Sequence, residues 1–148
     1  MFIVRHLTGI LQNMVEDPDS LLKSYQYNDK PTANVRLDSK MEDITAILYQ
    51  ITDFQLQTNR LTVKEKADVN ITFLEKETKL DAQGTEQDII IDNTKDVALD
   101  FLKRVISDKR LKIQDDTIDI KSVYLRSDSN RTGVNMTLKI SEVQGQCL

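Results

Sequence analysis

Tryptophan is absent from the 148 residues, histidine and cysteine occur once each, and there are only four glycines and two prolines. Each shortage removes a class of function. With Cys147 as the only thiol, no intrachain disulfide can form, and a thiolate metal site would need several further ligands. The glycines are too few and too scattered for a loop that cradles phosphates, which argues against nucleotide chemistry. His6 falls in a helical pattern with no recognisable nucleophile or carboxylate partner, so the usual constellation for acid–base or nucleophilic catalysis is missing. No run approaches the roughly 20 apolar residues of a membrane span. The opening "FIVRHLTGILQNM" is interrupted by Arg5 and His6 and lacks a small-residue cleavage site, so a signal peptide is not expected. Aromatic residues make up 5%, which predicts a mainly aliphatic core.

The formal charge of −4 and a pI near 5.0 give no general attraction to phosphate backbones or anionic membranes. The one basic cluster, Lys103, Arg104, Lys109, Arg110 and Lys112, surrounds the end of a predicted helix, where cations complement the helix dipole. Asp115, Asp116 and Asp119 crowd a turn without the ligand spacing of a calcium loop, and read as a solvated turn. N-x-Ser/Thr triplets at Asn70, Asn130 and Asn135 lie in or beside predicted strands and read as chance matches. From these observations no catalytic, metal-ligating or cofactor-binding residues are assigned, and no enzyme activity, small-molecule substrate, nucleic acid or membrane partner is expected.

What is present is alternation. Ile3, Leu7, Ile10, Leu11 and Met14 follow helical spacing and predict an amphipathic helix of about 14 residues. Breakers from Glu16 to Ser20 follow, and Leu21, Leu22, Tyr25 and Tyr27 suggest a short turn packed on the core. Pro31 opens an extended piece, with Val35 and Leu37 marking a short strand. "DITAILYQI" is apolar on both alternating sets, the mark of a strand that is central or covered on both faces. Phe54, Leu56, Leu61 and Val63 stand among polar residues, in a strand extension or a projecting hairpin. Val69, Ile71 and Phe73 alternate with Asp68, Asn70 and Thr72 in a half-buried strand. Residues 75–92 read as a long polar loop, and a second helix is predicted from Asn93 or Thr94 through Ile106. In "TIDIKSVYLR" the apolar phase shifts between Ile120 and Val123, which predicts a bulge or a bend. The "SDSNRTG" turn then joins the last two strands as an antiparallel hairpin, ending in Val134, Met136, Leu138 and Ile140. Cys147 lies on the terminal tail, where chains tend to fray.

The expectation is a single α+β domain over residues 1–148, a mainly antiparallel sheet packed by an N-terminal helix and a central helix. If the segment at Phe54, Leu56, Leu61 and Val63 projects, those side chains need a neighbour to cover them, which makes them the candidate subunit interface. The element order, carried by "FIVRHLTGILQNM", "DITAILYQI", "ADVNITFLEK", "TKDVALDFLKRVI" and "TGVNMTLKISEV", resembles the small α+β tail-completion or tail-terminator proteins of tailed bacteriophages. That resemblance implies a non-enzymatic subunit of a phage or prophage tail, forming a homo-oligomeric ring through strands and extended loops. It places the protein in the cytoplasm of a bacterial host or in the virion. Residues 54–63 and 75–84 are the segments assigned to ring contacts by position. An alternative is an intracellular adaptor or regulatory binding module that uses a sheet edge or the loop at residues 75–92.

Overall fold

The computed structural model describes residues 2–28, 44–51, 53–77, 85–125, 130–144, 146 and 147. Its elements run α1 (Phe2–Glu16), β1 (Leu22–Asn28), β2 (Ile44–Tyr49), β3 (Phe54–Thr58), β4 (Thr62–Lys76), α2 (Thr85–Ser107), β5 (Leu111–Ile113), β6 (Ile120–Leu125), β7 (Arg131–Glu142) and β8 (Gln146–Cys147). This is the α+β architecture expected, with a mostly antiparallel sheet. The sheet runs β1-β2-β4-β7-β5, while β3 and β8 pair with β4, and β6 pairs with β7. The predicted strand at Val35 and Leu37 and the first three residues of the "SDSNRTG" turn lie outside the described residues, and its last three, Arg131–Gly133, already belong to β7.

β4 and β7 form the frame. Their antiparallel register is continuous from Lys66↔Ser141 to Lys76↔Arg131. Because side chains alternate across a strand, this register sends Ala67, Val69, Ile71 and Phe73 of β4 to the same face as Ile140, Leu138, Met136 and Val134 of β7. All eight are buried in one cluster with Ile3, Leu7, Leu11 and Met14 of α1 and Val97, Ala98, Phe101 and Val105 of α2. The predicted inward-facing residues of α1, β4 and β7 are therefore the core. It is mostly aliphatic, with one ring contact: Phe73 and Phe101 have centroids 5.8 Å apart at 58°. β2 lies between β1 and β4, and Ile44 to Leu48 are all buried, as its two-sided apolar pattern requires.

The opposite face of the sheet is dry at one end only. Ile47 and Leu74 form a second small buried cluster, flanked by Tyr49 and Val123. Further along, Asp68, Asn70, Thr137 and Lys139 meet solvent. Asn135 is held at the boundary, donating from Nδ2 to Asn70 Oδ1 at 2.5 Å and to Thr72 Oγ1 at 2.8 Å.

Five expectations are corrected. Leu22–Asn28 is a strand, β1, paired in parallel with β2, and not a turn. Leu22 is buried while Leu21 is 52% exposed, so one leucine seats the chain and the other does not. The second helix begins at Thr85, well before Asn93, and residues 85–92 of the expected loop are helical. Ile90 and Ile91 extend the buried stripe of Val97, Ala98 and Phe101 backwards by two turns, and the many polar residues between them are simply the helix's outer surface. Thr94 is buried within the helix and donates to the Ile90 carbonyl at 2.8 Å instead of capping. No bulge divides residues 118–125: the β6–β7 register is regular from Ile120↔Met136 to Leu125↔Arg131. Ile118 precedes the strand and packs on the main core, while Val123 points to the other face, which produces the shift of phase. The backbone of Gln146–Cys147 pairs with Thr62–Val63, so it is not a free tail.

Gly133 sits in the β4–β7 ladder opposite Leu74. A Cβ there would overlap the carbonyl oxygen of Phe73 and approach Leu74 Cα to 3.0 Å. In a strand, glycine is ordinarily weaker than alanine by about 0.5–1 kcal/mol. The clash is with backbone and cannot be relieved by a rotamer change, so it outweighs that gain. Gly133→Ala is expected to lower unfolding stability by at least about 2 kcal/mol, read from the urea midpoint.

Candidate functional site

β3 and the first half of β4 form a hairpin that runs past β2 on one edge of β4, while the other edge of β4 is paired with β7 from Lys66 and with β8 at Thr62–Val63. The β2 ladder on β4 covers Ile71–Leu74 and the β7 ladder begins at Lys66, whereas β3 pairs with Val63–Ala67. Asn59 closes the turn. Its Oδ1 accepts from the Leu61 and Thr62 amides at 2.9 and 2.8 Å, and its own amide donates to the Thr62 carbonyl at 3.0 Å. An asparagine side chain that replaces a backbone acceptor in this way is a local, sequence-encoded turn. The segment combines the two readings: Val63 belongs to an extension of the long strand β4, and Phe54 and Leu56 lie on β3, which folds back on it as a hairpin.

Every residue of β3 is exposed. Phe54 and Leu56 lie opposite Ala67 and Glu65 on the helix-bearing side of the sheet, yet are 51% and 63% exposed because neither helix reaches them. Leu61, at the tip, is 76% exposed. Val63, opposite Thr58, shares their face but is half-buried. The four predicted interface residues are thus brought together on one hairpin, three of them with most of their surface in water. Of the second segment assigned to ring contacts, Glu75 and Lys76 end β4, Glu77 is buried, and residues 78–84 lie outside the described residues. Glu77 Oε1 accepts from Thr132 Oγ1 at 2.6 Å and Gln87 Nε2 at 3.2 Å, which ties the first turn of α2 to the sheet.

The remaining polar clusters are structural in their contacts. One step beyond the last β4–β7 pair, Glu65 and Glu142 are both buried beneath the N-terminus of α1. Glu142 Oε1 accepts the Glu65 amide at 2.8 Å, and the Glu65 carboxyl accepts the Ile3 amide of α1. α1 has no acidic residue in its own first turn, so the sheet supplies the negative charge that a helix N-terminus favours. Burial, and secondarily the Glu142 carboxylate, push the Glu65 pKa above its usual range.

His6 borders an open groove of about 640 Å³ between α1 and the end of α2, together with Gly9, Lys103, Arg104, Lys109 and Arg110. Burial, then the Arg110 charge, lower its pKa and favour the neutral ring. Most of the predicted basic cluster therefore lines an inter-helix groove. Two of its members are paired: Arg104 with Asp17 at 2.7 Å and Asp100 at 3.2 Å, and Arg110 with Asp108 at 2.7 Å. Asp115 Oδ2 accepts the Lys139 amide at 3.1 Å, fastening the acidic turn to β7. Among the described residues, no three His, Cys, Asp or Glu side chains are placed to hold a metal ion, and no helix is long and apolar enough to cross a membrane.

No protein-family profile and no curated protein matches the chain.

The Glu65 and Asp17 carboxyls make opposite contributions with pH. Glu65 binds its proton more tightly folded than unfolded, so its ionised form costs stability at neutral pH, and that cost disappears as pH falls below the unfolded pKa near 4.5. Glu65→Gln keeps an oxygen for the Ile3 amide and is expected to raise the urea midpoint at pH 7, with the gain vanishing by pH 4 or below. Asp17 is held low by the Asp19 amide and by Arg104, so its contribution is present above pH 3.8 and lost as pH falls through the folded value. Asp17→Asn is therefore expected to lower the midpoint at pH 7 and to have no effect at strongly acidic pH. Equal effects of either substitution at both pH values would contradict these assignments.

Proposed function

We propose that the protein is a non-enzymatic assembly subunit of a phage or prophage tail, of the tail-completion or tail-terminator kind, acting through protein–protein contacts at the β3–β4 hairpin. The observation that supports this reading is the exposure of Phe54, Leu56 and Leu61 together on one edge hairpin. Scattered apolar residues on a surface need no explanation, but three large ones concentrated on a short hairpin mark a contact surface. Among the described residues β3 pairs with β4 alone, and an edge strand of this kind accepts a further strand readily unless it is blocked. β3 itself, Phe-Gln-Leu-Gln-Thr, carries no charge or proline to block it.

A hairpin that seats on a different surface of the next copy makes a head-to-tail contact, and such contacts close into rings when the rotation allows. This fits a ring at the end of a tail tube, with the protein made in the cytoplasm of a bacterial host and retained in the virion. The alternative adaptor reading keeps its sheet-edge form, while its loop form can no longer include residues 85–92, which are helical.

The test is capture by isolated tail tubes, alongside sedimentation of the chain alone. Leu56→Asp/Leu61→Asp alters exposed side chains and is expected to change unfolding stability by no more than about 0.5 kcal/mol per site. It should reduce tube capture by at least about tenfold, as expected when central apolar contacts are lost. Wild-type chain that stays monomeric and ignores tail tubes, or a double variant that is captured as well as wild type, would sink the proposal.

A further inference from the structure

Beyond the hairpin, α2 presents a second surface. Its inner stripe is buried, but Ile89, Leu99 and Ile106 are 56%, 47% and 65% exposed. With Asp92, Asp96 and Lys103 they occupy positions alternately three and four residues apart, all exposed, which places them in one line along the outer side of the helix. The line spans about 26 Å from Ile89 to Ile106 at 1.5 Å per residue. It is the spacing of a helix–helix seam.

We infer that this stripe is a self-complementary contact through which α2 pairs with α2 of a second copy, antiparallel and about a two-fold axis. The order of residues selects both the partner and the direction. Centred between Val97 and Ala98, the antiparallel alignment sets Ile89 against the partner's Ile106, Asp92 against the partner's Lys103, and Asp96 against the partner's Leu99. Each relation recurs by symmetry, as an isologous interface demands. Lys95, beside the stripe, falls opposite the partner's Asp100, which also accepts from Arg104 within its own chain. A parallel alignment would instead stack each of Asp92, Asp96 and Lys103 on its own copy, with like charges in contact throughout. Antiparallel helices also oppose their dipoles favourably.

This contact is independent of the hairpin and pairs subunits two by two instead of building a ring. The test is therefore run on the full chain carrying Leu56→Asp/Leu61→Asp, by sedimentation equilibrium, so that the hairpin contributes nothing to association. That protein is expected to be a dimer. Adding Asp92→Lys puts two lysines together at both ends of the seam, and should weaken dimerisation by roughly tenfold. Combining Asp92→Lys with Lys103→Asp restores the pairing in the reverse sense and should return the affinity to within about threefold of the parent. Leu99→Glu is expected to leave a folded monomer, verified by circular dichroism. A monomer at concentrations up to about 1 mM, the weak limit of specific association, would overturn the inference. So would a dimer indifferent to Asp92→Lys or not rescued by the charge swap. Loss of the α2 dimer with tube capture intact would leave the hairpin reading standing, and the reverse result would remove the hairpin reading alone.

Discussion

The close approach of β4 and β7 is the constraint on which the remaining structure depends. Their register determines which residues meet the helices, and it holds for eleven consecutive pairs. A slip by one residue would turn Val69, Ile71, Phe73, Val134, Met136 and Leu138 out of the core together. Gly133 lets the two backbones meet at the Phe73–Leu74 peptide, near the end of the ladder, where the second small cluster seals the other face. Both helices lie against this frame, and the hairpin is a continuation of β4 beyond the point where β7 stops pairing.

Electrostatics then fixes how the helices sit on the frame. The N-terminus of α1 is met by two carboxyls from the sheet, its C-terminal turn is linked to α2 through Arg104 and Asp17, and the first turn of α2 is linked to β7 through Glu77. The Asp17–Arg104 pair is about one-third exposed on each side, so its role is to align two elements and its contribution to stability is small. The Glu65–Glu142 pair carries a cost, since two like charges share a buried site, and the helix N-terminus offsets part of it. These polar clusters are engaged in holding elements together. Exposed apolar side chains, by contrast, cluster on the hairpin and recur along the outer stripe of α2.

Much of this was legible in the residues. The stripes of α1, β2, β4 and β7 were readable because each element is at least six residues long and its period is uninterrupted. The hairpin interface residues were readable because apolar side chains in a polar segment leave few places to go. The failures share a cause. β1 carries Leu22, Tyr25 and Tyr27 with a register shift after Leu22, so its alternation is broken where it begins. The first two turns of α2 bury only Ile90 and Ile91 among residues 86–93, too few to outweigh the polar composition. The phase shift before Val123 combined a loop residue and a strand residue that serve different faces. The Glu65–Glu142 pair joins residues far apart in the chain, and only the tertiary register brings them beneath α1.

On the proposed reading, the β4–β7 frame presents the β3–β4 hairpin for another subunit to cover. Hydrogen exchange of backbone amides, followed with and without isolated tail tubes, is the measurement that bears on that reading. Slow exchange is expected through residues 67–74 and 134–140 in both states, with new protection in the presence of tubes concentrated at residues 54–63. Unchanged exchange at residues 54–63 on assembly, with new protection confined to the helices or the β6 edge, would contradict it.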